Sequence, residues 1–372
     1  MPEYEAVLVD RIPHPDVGPN NAPTLTEIDR LNILDRVTWS KELNNDGFAS
    51  VSTRPERLED ALRDRLIKPD ERPMELWIFR DGIHVYSGPL IGIQIQGQNR
   101  TITFHSRGLA YYTRYMFLTA DFARTAVDNF TVVRELIATW QDQSYGHFGI
   151  FDEVGSPLSG NTIDVDYKRV ELVNIAQTIG DLSLPSVDGF DFEFNPSDRR
   201  LYLYSPQRGT DKTNTIVIDN RNLIQHSMFM DLTAGDFATT VIGAATAFDL
   251  VDGPFWSQKT NATRRSQFGY AGLGANWSGI TSQATLDDFV QAAVDTHSNF
   301  PLSFGGSGGE KEGGTTKIQV TEGFGPLDVD PGDTISIDAD LGFGEFALER
   351  DVQAVITSQD AGGDETMSVN LI

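Results

Sequence analysis

Cysteine is absent from the 372 residues, which removes disulfides, thiolate metal ligands and cysteine nucleophiles at once. Long apolar runs are missing too. No stretch reaches the roughly 20 apolar residues that span a bilayer, so no membrane anchor is expected. The opening MPEYEAVLVDRIPHPDVGPNN lacks the basic region followed by an apolar run that marks a secretory signal. Lysine is scarce, with 7 residues, and the bases form no stripe, only pairs such as Arg199 with Arg200 and Arg264 with Arg265. A protein that captures nucleic acid needs such a stripe.

What is abundant is acid. Fifty-four acids, 36 of them Asp, oppose 29 bases and leave a net charge of −25. This surface repels phosphate backbones, although DNA can pass an acidic wall without binding it. The Asp-rich, Lys-poor balance is expected of a halophilic protein, because molar salt shrinks the Debye length to about 3 Å and screens the self-repulsion. A GC-rich genome produces the same bias, and the dependence of the unfolding midpoint on NaCl separates the two.

The pattern predicts a β-rich α+β fold in four parts. DRVTWSKELNNDGFASVST reads as a hairpin turning at Asn44 to Gly47. In RPERLEDALRDRLIKPDERP, Leu58, Leu62 and Leu66 recur every four residues between prolines and predict a short helix. ELWIFRDGIHVYSGPLIGIQIQGQNRTITFHS reads as three strands, with a hairpin turn at Arg80 to Gly82 and an edge or bulge at Gly88 and Pro89. Residues 1–110 are therefore expected to form a first small β-barrel. Residues 111–206 predict a mixed α/β domain, with helices in TVVRELIATWQDQS and DYKRVELVNIAQTIGDLS and a hairpin in FDFEFNPSDRRLYLYSP. A second, discontinuous barrel is expected from 207–250 and 317–372, interrupted by an insertion at 251–316 with one helix, TLDDFVQAAVDTHS, and Gly-rich loops.

Candidate chemistry is thin. GGSGG, Gly305 to Gly309, spells a nucleophile elbow around Ser307 but is followed by EKEGGTT instead of a helix, and reads as a linker. DVDPGD brings Asp328, Asp330 and Asp333 together, yet Gly332 and Ala339 occupy the wrong positions for an EF-hand. A Pro-Gly turn explains it better, with a weak cation site as the alternative. His14, His84, His105, His147, His226 and His297 show no ligand spacing, and GYAGLG from Gly269 lacks the dinucleotide pattern. No catalytic, cofactor-binding or metal residue is assigned.

The order of these segments resembles that of a known family. VTWSKELNNDGFASVST, ELWIFRDGIHVYSGPLIGIQI and GLAYYTRYMF are similar to the N-terminal part of tail hub proteins of long-tailed viruses, also called baseplate hub or tail-associated minor tail proteins. ATRRSQFGYAGLG, GITSQATLDDFVQAAVDTHSNFP and VDPGDTISIDADLGFGEF resemble the family's later loop, helix and Pro-Gly-Asp strand, so the likeness runs nearly the whole chain. It implies a non-enzymatic homotrimer at the virion tail tip, assembled in the host cytoplasm. Two tube-type barrels per subunit would match the sixfold tail tube or distal tail ring above and the threefold tip below. Implied partners are the distal tail or tail tube protein, the tape measure protein and tail tip or fibre proteins, with DNA only in transit. With the acidic composition, the implied source is an archaeal virus of a halophilic host. The sequence stops after the second barrel, so no peptidoglycan-cleaving or receptor-binding extension is expected.

Two other classes compete. A virion-tip glycan hydrolase would need a pocket with two carboxylates roughly 5 to 10 Å apart. A receptor- or carbohydrate-binding β protein would show an exposed aromatic platform and be a monomer.

Overall fold

Alternation of inward apolar and outward polar residues sets up the first segment. Its strands are β1 (Tyr4–Ile12), β2 (Thr24–Leu31), β3 (Arg36–Glu42), β4 (Phe48–Thr53), β5 (Met74–Arg80), β6 (Ile83–Gln96) and β7 (Thr101–Arg107), with helix α1 (Asp60–Leu66) between β4 and β5. In the computed structural model the described residues are 2–13, 22–32, 34–66, 74–97, 100–143, 146–184, 189–219, 223–225, 228–230, 237–245, 256–277, 279–298, 302–304, 316–319, 325–340, 345–360 and 362–371. Val37, Trp39, Ala49, Val51, Ile102 and Phe104 point into one core, which Leu58 and Leu62 close from the side of α1. Asp81 and Gly82 both take positive φ, at 50° and 77°. Those angles suit a tight hairpin turn whose twist matches its strands.

The middle segment contains β8 (Phe122–Asp128), α2 (Asn129–Gln141), β9 (Phe151–Asp152), β10 (Thr162–Tyr167), α3 (Ile175–Ser183), β11 (Asp191–Phe194) and β12 (Arg200–Tyr204). Asp128 caps α2 by accepting from the Phe130 amide at 3.0 Å, and Asn174 caps α3 by accepting from that of Gln177 at 3.1 Å. The helix expected over DYKRVELVNIAQTIGDLS is only half present. Val165 and Tyr167 are drawn into the core from β10, and Leu172 takes a left-handed conformation just before the Asn174 cap.

The last segment supplies β13 (Val217–Asp219), β14 (Leu223–Gln225), β15 (Met228–Met230), β16 (Thr240–Ala245), β17 (Trp256–Thr260), α4 (Ala262–Phe268), β18 (Gly272–Trp277), α5 (Gln283–His297), β19 (Leu302–Phe304), β20 (Thr316–Gln319), β21 (Thr334–Asp340), β22 (Glu345–Gln359) and β23 (Glu365–Leu371). Six of these strands, β13, β14 and β20 to β23, join those of the first segment in one sheet, while β15 pairs with β19 and β16 with β17 and β18 apart from it. One 13-stranded sheet runs β14-β20-β23-β22-β3-β4-β7-β6-β5-β1-β2, with β21 also on β22 and β13 on β21. The seam is β3 against β22, from Val37 opposite Gln359 to Glu42 opposite Ala354. β22 is long enough to pair with β21 through residues 345–351 and with β23 and β3 further on.

Packing also redraws the expected insertion. β16 pairs with β17 and β18, not with the large sheet, and Val241, Trp277, Phe289 and Val290 share a core with Val132, Leu136, Ile175 and Ile179 of α2 and α3. Residues 237–245, 256–277 and 279–298, expected to fall partly in the second barrel and partly in an insertion, thus contribute to the middle segment's core. A further core, including Ile218, Ile335, Ile337, Val355 and Val369, lies against the C-terminal strands.

Candidate functional site

The long hairpin formed by β6 and β7 carries the clearest surface feature. β6 pairs with β5 through Ile83 to Pro89 and with β7 through Leu90 to Gln96, changing partner where the sequence has Gly88 and Pro89. A side chain at Gly88 would place its Cβ 1.8 Å from the Arg107 carbonyl oxygen, so only glycine fits this corner. Ser106 locks it by donating its hydroxyl to the Gly88 and Pro89 carbonyls at 3.0 and 2.9 Å. Beyond the corner Ile91, Ile93 and Ile95 are 48, 38 and 60 % exposed. Ile93 lies opposite Phe104 and Ile95 opposite Ile102. Directly opposed residues share a face, so the isoleucines continue the core-facing row past the core that ends it. None of the residues from Pro89 to Asn99 is charged. Among the described residues no strand pairs with the second edge of Leu90 to Ile95.

Buried charge concentrates where segments meet. The Glu75 carboxylate on β5 is fully buried and takes both Arg199 terminal nitrogens, at 2.7 and 3.1 Å. Tyr112 donates to it at 2.7 Å and the Trp77 indole at 3.0 Å. Arg199 also donates to the carbonyls of Gly149 and Phe148. Burial pushes the Glu75 carboxyl up, but the Arg199 charge and these donors outweigh it and hold it below the usual range. A second pair joins the two ends of the chain: Arg80 grips Glu365 through two nitrogens at 2.9 and 2.8 Å, and Tyr4 donates to Glu365 while accepting from the Trp39 indole. The bond to Glu365 holds Arg80 above its ordinary value.

Asp328, Asp330 and Asp333 do come together, as a clamp between segments. Lys41 reaches Asp330 at 2.8 Å and Lys212 reaches Asp333 at 2.7 Å. Backbone amides of Gly325, Asp330 and Thr210 fill further oxygens of Asp328 and Asp333. Burial raises the Asp330 carboxyl, and Lys41 more than reverses it. One oxygen each of Asp328 and Asp330 and both of Asp333 are thus engaged, and among the described residues no group of three or more His, Asp or Glu side chains is placed to hold a metal ion. Ser307, His14 and His226 lie outside the described residues. His84 is stacked on Phe79 with its Nε2 at the Tyr86 carbonyl, and burial lowers it to about 4. His147 is buried and accepts from the Gly149 amide through Nδ1, His105 sits on β7, and His297 ends α5.

A cavity of about 300 Å³ opens where the β3–β4 turn meets the turn of helix over Leu109–Tyr115 and the β11–β12 hairpin. Its one carboxylate, Asp46, is ion-paired with Arg114 at 3.1 Å. Arg199 and Glu75, 124 residues apart, gave no sign of their pairing in sequence; an acid inside the apolar run MELWIF was the only available signal. Among the described residues no helix is long and apolar enough to cross a membrane.

No protein-family model matches the chain, and no curated protein matches it in sequence. Solved structures do. A tail protein from Neisseria meningitidis MC58 is 11 % identical with a TM-score of 0.58, over 99 % of this chain and 96 % of that one. The 43 kDa tail protein of prophage MuSo2 from Shewanella oneidensis is 11 % identical with a TM-score of 0.56, over 99 % and 98 %. Prophage tail protein gp18 from Listeria monocytogenes EGD-e is 10 % identical with a TM-score of 0.52, over 99 % and 94 %. The chain has the fold of phage tail proteins, over nearly its whole length.

Proposed function

We propose that the protein is a structural, non-enzymatic tail hub: a homotrimeric ring at the virion tail tip that joins the sixfold tail tube or distal tail ring to the threefold tip and lines the channel for DNA. The observation that carries this reading is the length of the fold match, 99 % of this chain against 94 to 98 % of three phage tail proteins. Residues 1–110 and the C-terminal strands would act as the two tube-type modules of each subunit, making six around the ring. Their pairing through β3 and β22 supports this reading, because it fixes one module relative to the other within a subunit.

The exposed isoleucines of β6 suit a ring contact. Copies of a chain with net charge −25 repel one another. They can approach most readily where charge is lacking, and Pro89 to Asn99 is such a stretch. An exposed apolar edge strand also needs a partner to avoid uncontrolled pairing. A lumen bordered by acid would keep the duplex off the wall during ejection. The distal tail, tape measure and tip or fibre proteins are the expected neighbours, and the Asp-rich composition fits a halophilic, archaeal host.

Light scattering in molar NaCl tests the reading through the oligomeric mass. A trimer is expected for the natural chain, and a monomer for Ile93→Lys with its circular dichroism unchanged. A natural chain that stays monomeric at all concentrations would contradict the ring.

A further inference from the structure

The three-stranded sheet β17-β16-β18 has one face in the core; on the other, Trp256, Gln258, Ile242 and Asn276 reach solvent, while Thr240 is buried. The inner face is fixed by Val241 and Ala245, both buried, and by Gly243, where a Cβ would strike Val290 at 2.3 Å and the Trp277 ring at 2.5 Å. The alternate residues therefore point outward. The register sets them in three rows: Trp256–Ala244–Asn276, Gln258–Ile242–Gly274 and Thr260–Thr240–Gly272. No residue in these rows is charged. Trp256 and Ile242 are 64 and 41 % exposed.

A second aromatic residue borders the far row. A side chain at Gly272 would bring its Cβ within 2.8 Å of the Tyr270 hydroxyl, which places Tyr270 over that row, 59 % exposed. The Arg265 guanidinium lies 5.2 Å from the Tyr270 ring centroid and steadies it from α4. The face thus has an aromatic ring at either end, exposed amides at Gln258 and Asn276, and side-chain-free backbone at Gly272 and Gly274 that keeps it low and flat.

We propose that this face binds a neutral oligosaccharide. The sugar's apolar faces would stack on Trp256 and Tyr270, and the Gln258 and Asn276 amides, each both donor and acceptor, would bond its hydroxyls. Size favours a small ligand over a protein. Five residues on each of three strands give a face of roughly 250 Å², against about 800 Å² per partner in a stable protein interface. Charge favours a neutral one. The chain's net charge of −25 disfavours an acidic glycan, and these rows offer a cation no carboxylate. The end rows lie about 13 Å apart along the strands, the length of a short oligosaccharide.

The test is titration of the full chain with cellotriose, maltotriose, mannotriose and triacetylchitotriose, followed by a neutral-glycan array, read by tryptophan fluorescence and calorimetry. Trp39 and Trp277 are buried and Trp77 and Trp140 half-buried, so Trp256, the most exposed of the five, is expected to report contact. Saturable millimolar binding is expected for at least one glycan, with a loss of about tenfold or more in Trp256→Ala and a smaller loss in Tyr270→Ala. Both side chains are exposed, and an unchanged melting temperature will show that the variants fold. Failure of every neutral glycan to bind, or equal binding by both variants, would overturn the proposal. So would a fall in oligomeric mass in Trp256→Ala, which would make the face a protein contact.

Discussion

The Glu75–Arg199 and Lys41–Asp330 pairs each join residues more than a hundred apart in sequence, 124 and 289, yet their surroundings differ. Side-chain exposure is 0 and 9 % in the first pair, 24 and 39 % in the second. The sealed pair is fully partnered: aromatic donors complete Glu75, and backbone carbonyls complete Arg199. The open pair can leave part of its hydration to water. A charge taken out of water is tolerated only when its remaining bonding capacity is met, so the sealed junction fixes the first segment against the middle one more than it adds net stability.

Breaking the sealed pair is expected to have the largest effect. Arg199→Met leaves Glu75 buried and unpaired and should cost about 3–5 kcal/mol, measured from the denaturant midpoint. The double variant Glu75→Leu with Arg199→Met should recover most of that loss, because no charge is then stranded.

An acid shifted by burial alone sharpens the contrast. Asp181 on α3 lines a small cavity with Tyr167, Trp277 and Phe289, and burial raises it to about 6. Its folded value lies above the unfolded 3.8, so its ionisation opposes folding at neutral pH and stability rises as pH falls from 6 toward 3.8. Asp181→Asn should therefore stabilise the protein by about 1–3 kcal/mol at pH 7, with the gain vanishing below pH 4. His84 works in the opposite sense. With its folded value near 4 against 6.5 unfolded, its neutral form favours the native state above pH 6.5, and that advantage is lost as pH falls toward 4. Subtracting the curve of His84→Gln from that of the natural chain should expose a term of at most about 3 kcal/mol across that window. The smallest effect belongs to the open clamp: Lys41→Ala should cost below about 1 kcal/mol, and less at high salt.

Local structure was legible in the sequence. The Asp-Gly turn, the Leu58, Leu62 and Leu66 spacing, the Asn195-Pro-Ser-Asp hairpin and the helix at 283–297 all follow from patterns a few residues long. Neighbour relations over long distances were not. Alternation in VQAVITSQ shows which residues share a face of β22 but not that β3 lies beside it. For the same reason alternation in TVIGAA shows the two faces of β16 but not that β17 and β18 flank it, nor that its inner row packs on α5. Alternation puts Ile91, Ile93 and Ile95 on one face; the register places Ile93 and Ile95 beside Phe104 and Ile102, while Ile91 falls at a bulge, and sequence does not show that the core stops before reaching them.

Electron microscopy of the purified protein in molar NaCl tests the central claim most directly. Class averages are expected to show rings with threefold symmetry and an open channel. Single compact particles, or a ring whose centre is closed by the chain's own sheet, would contradict the hub.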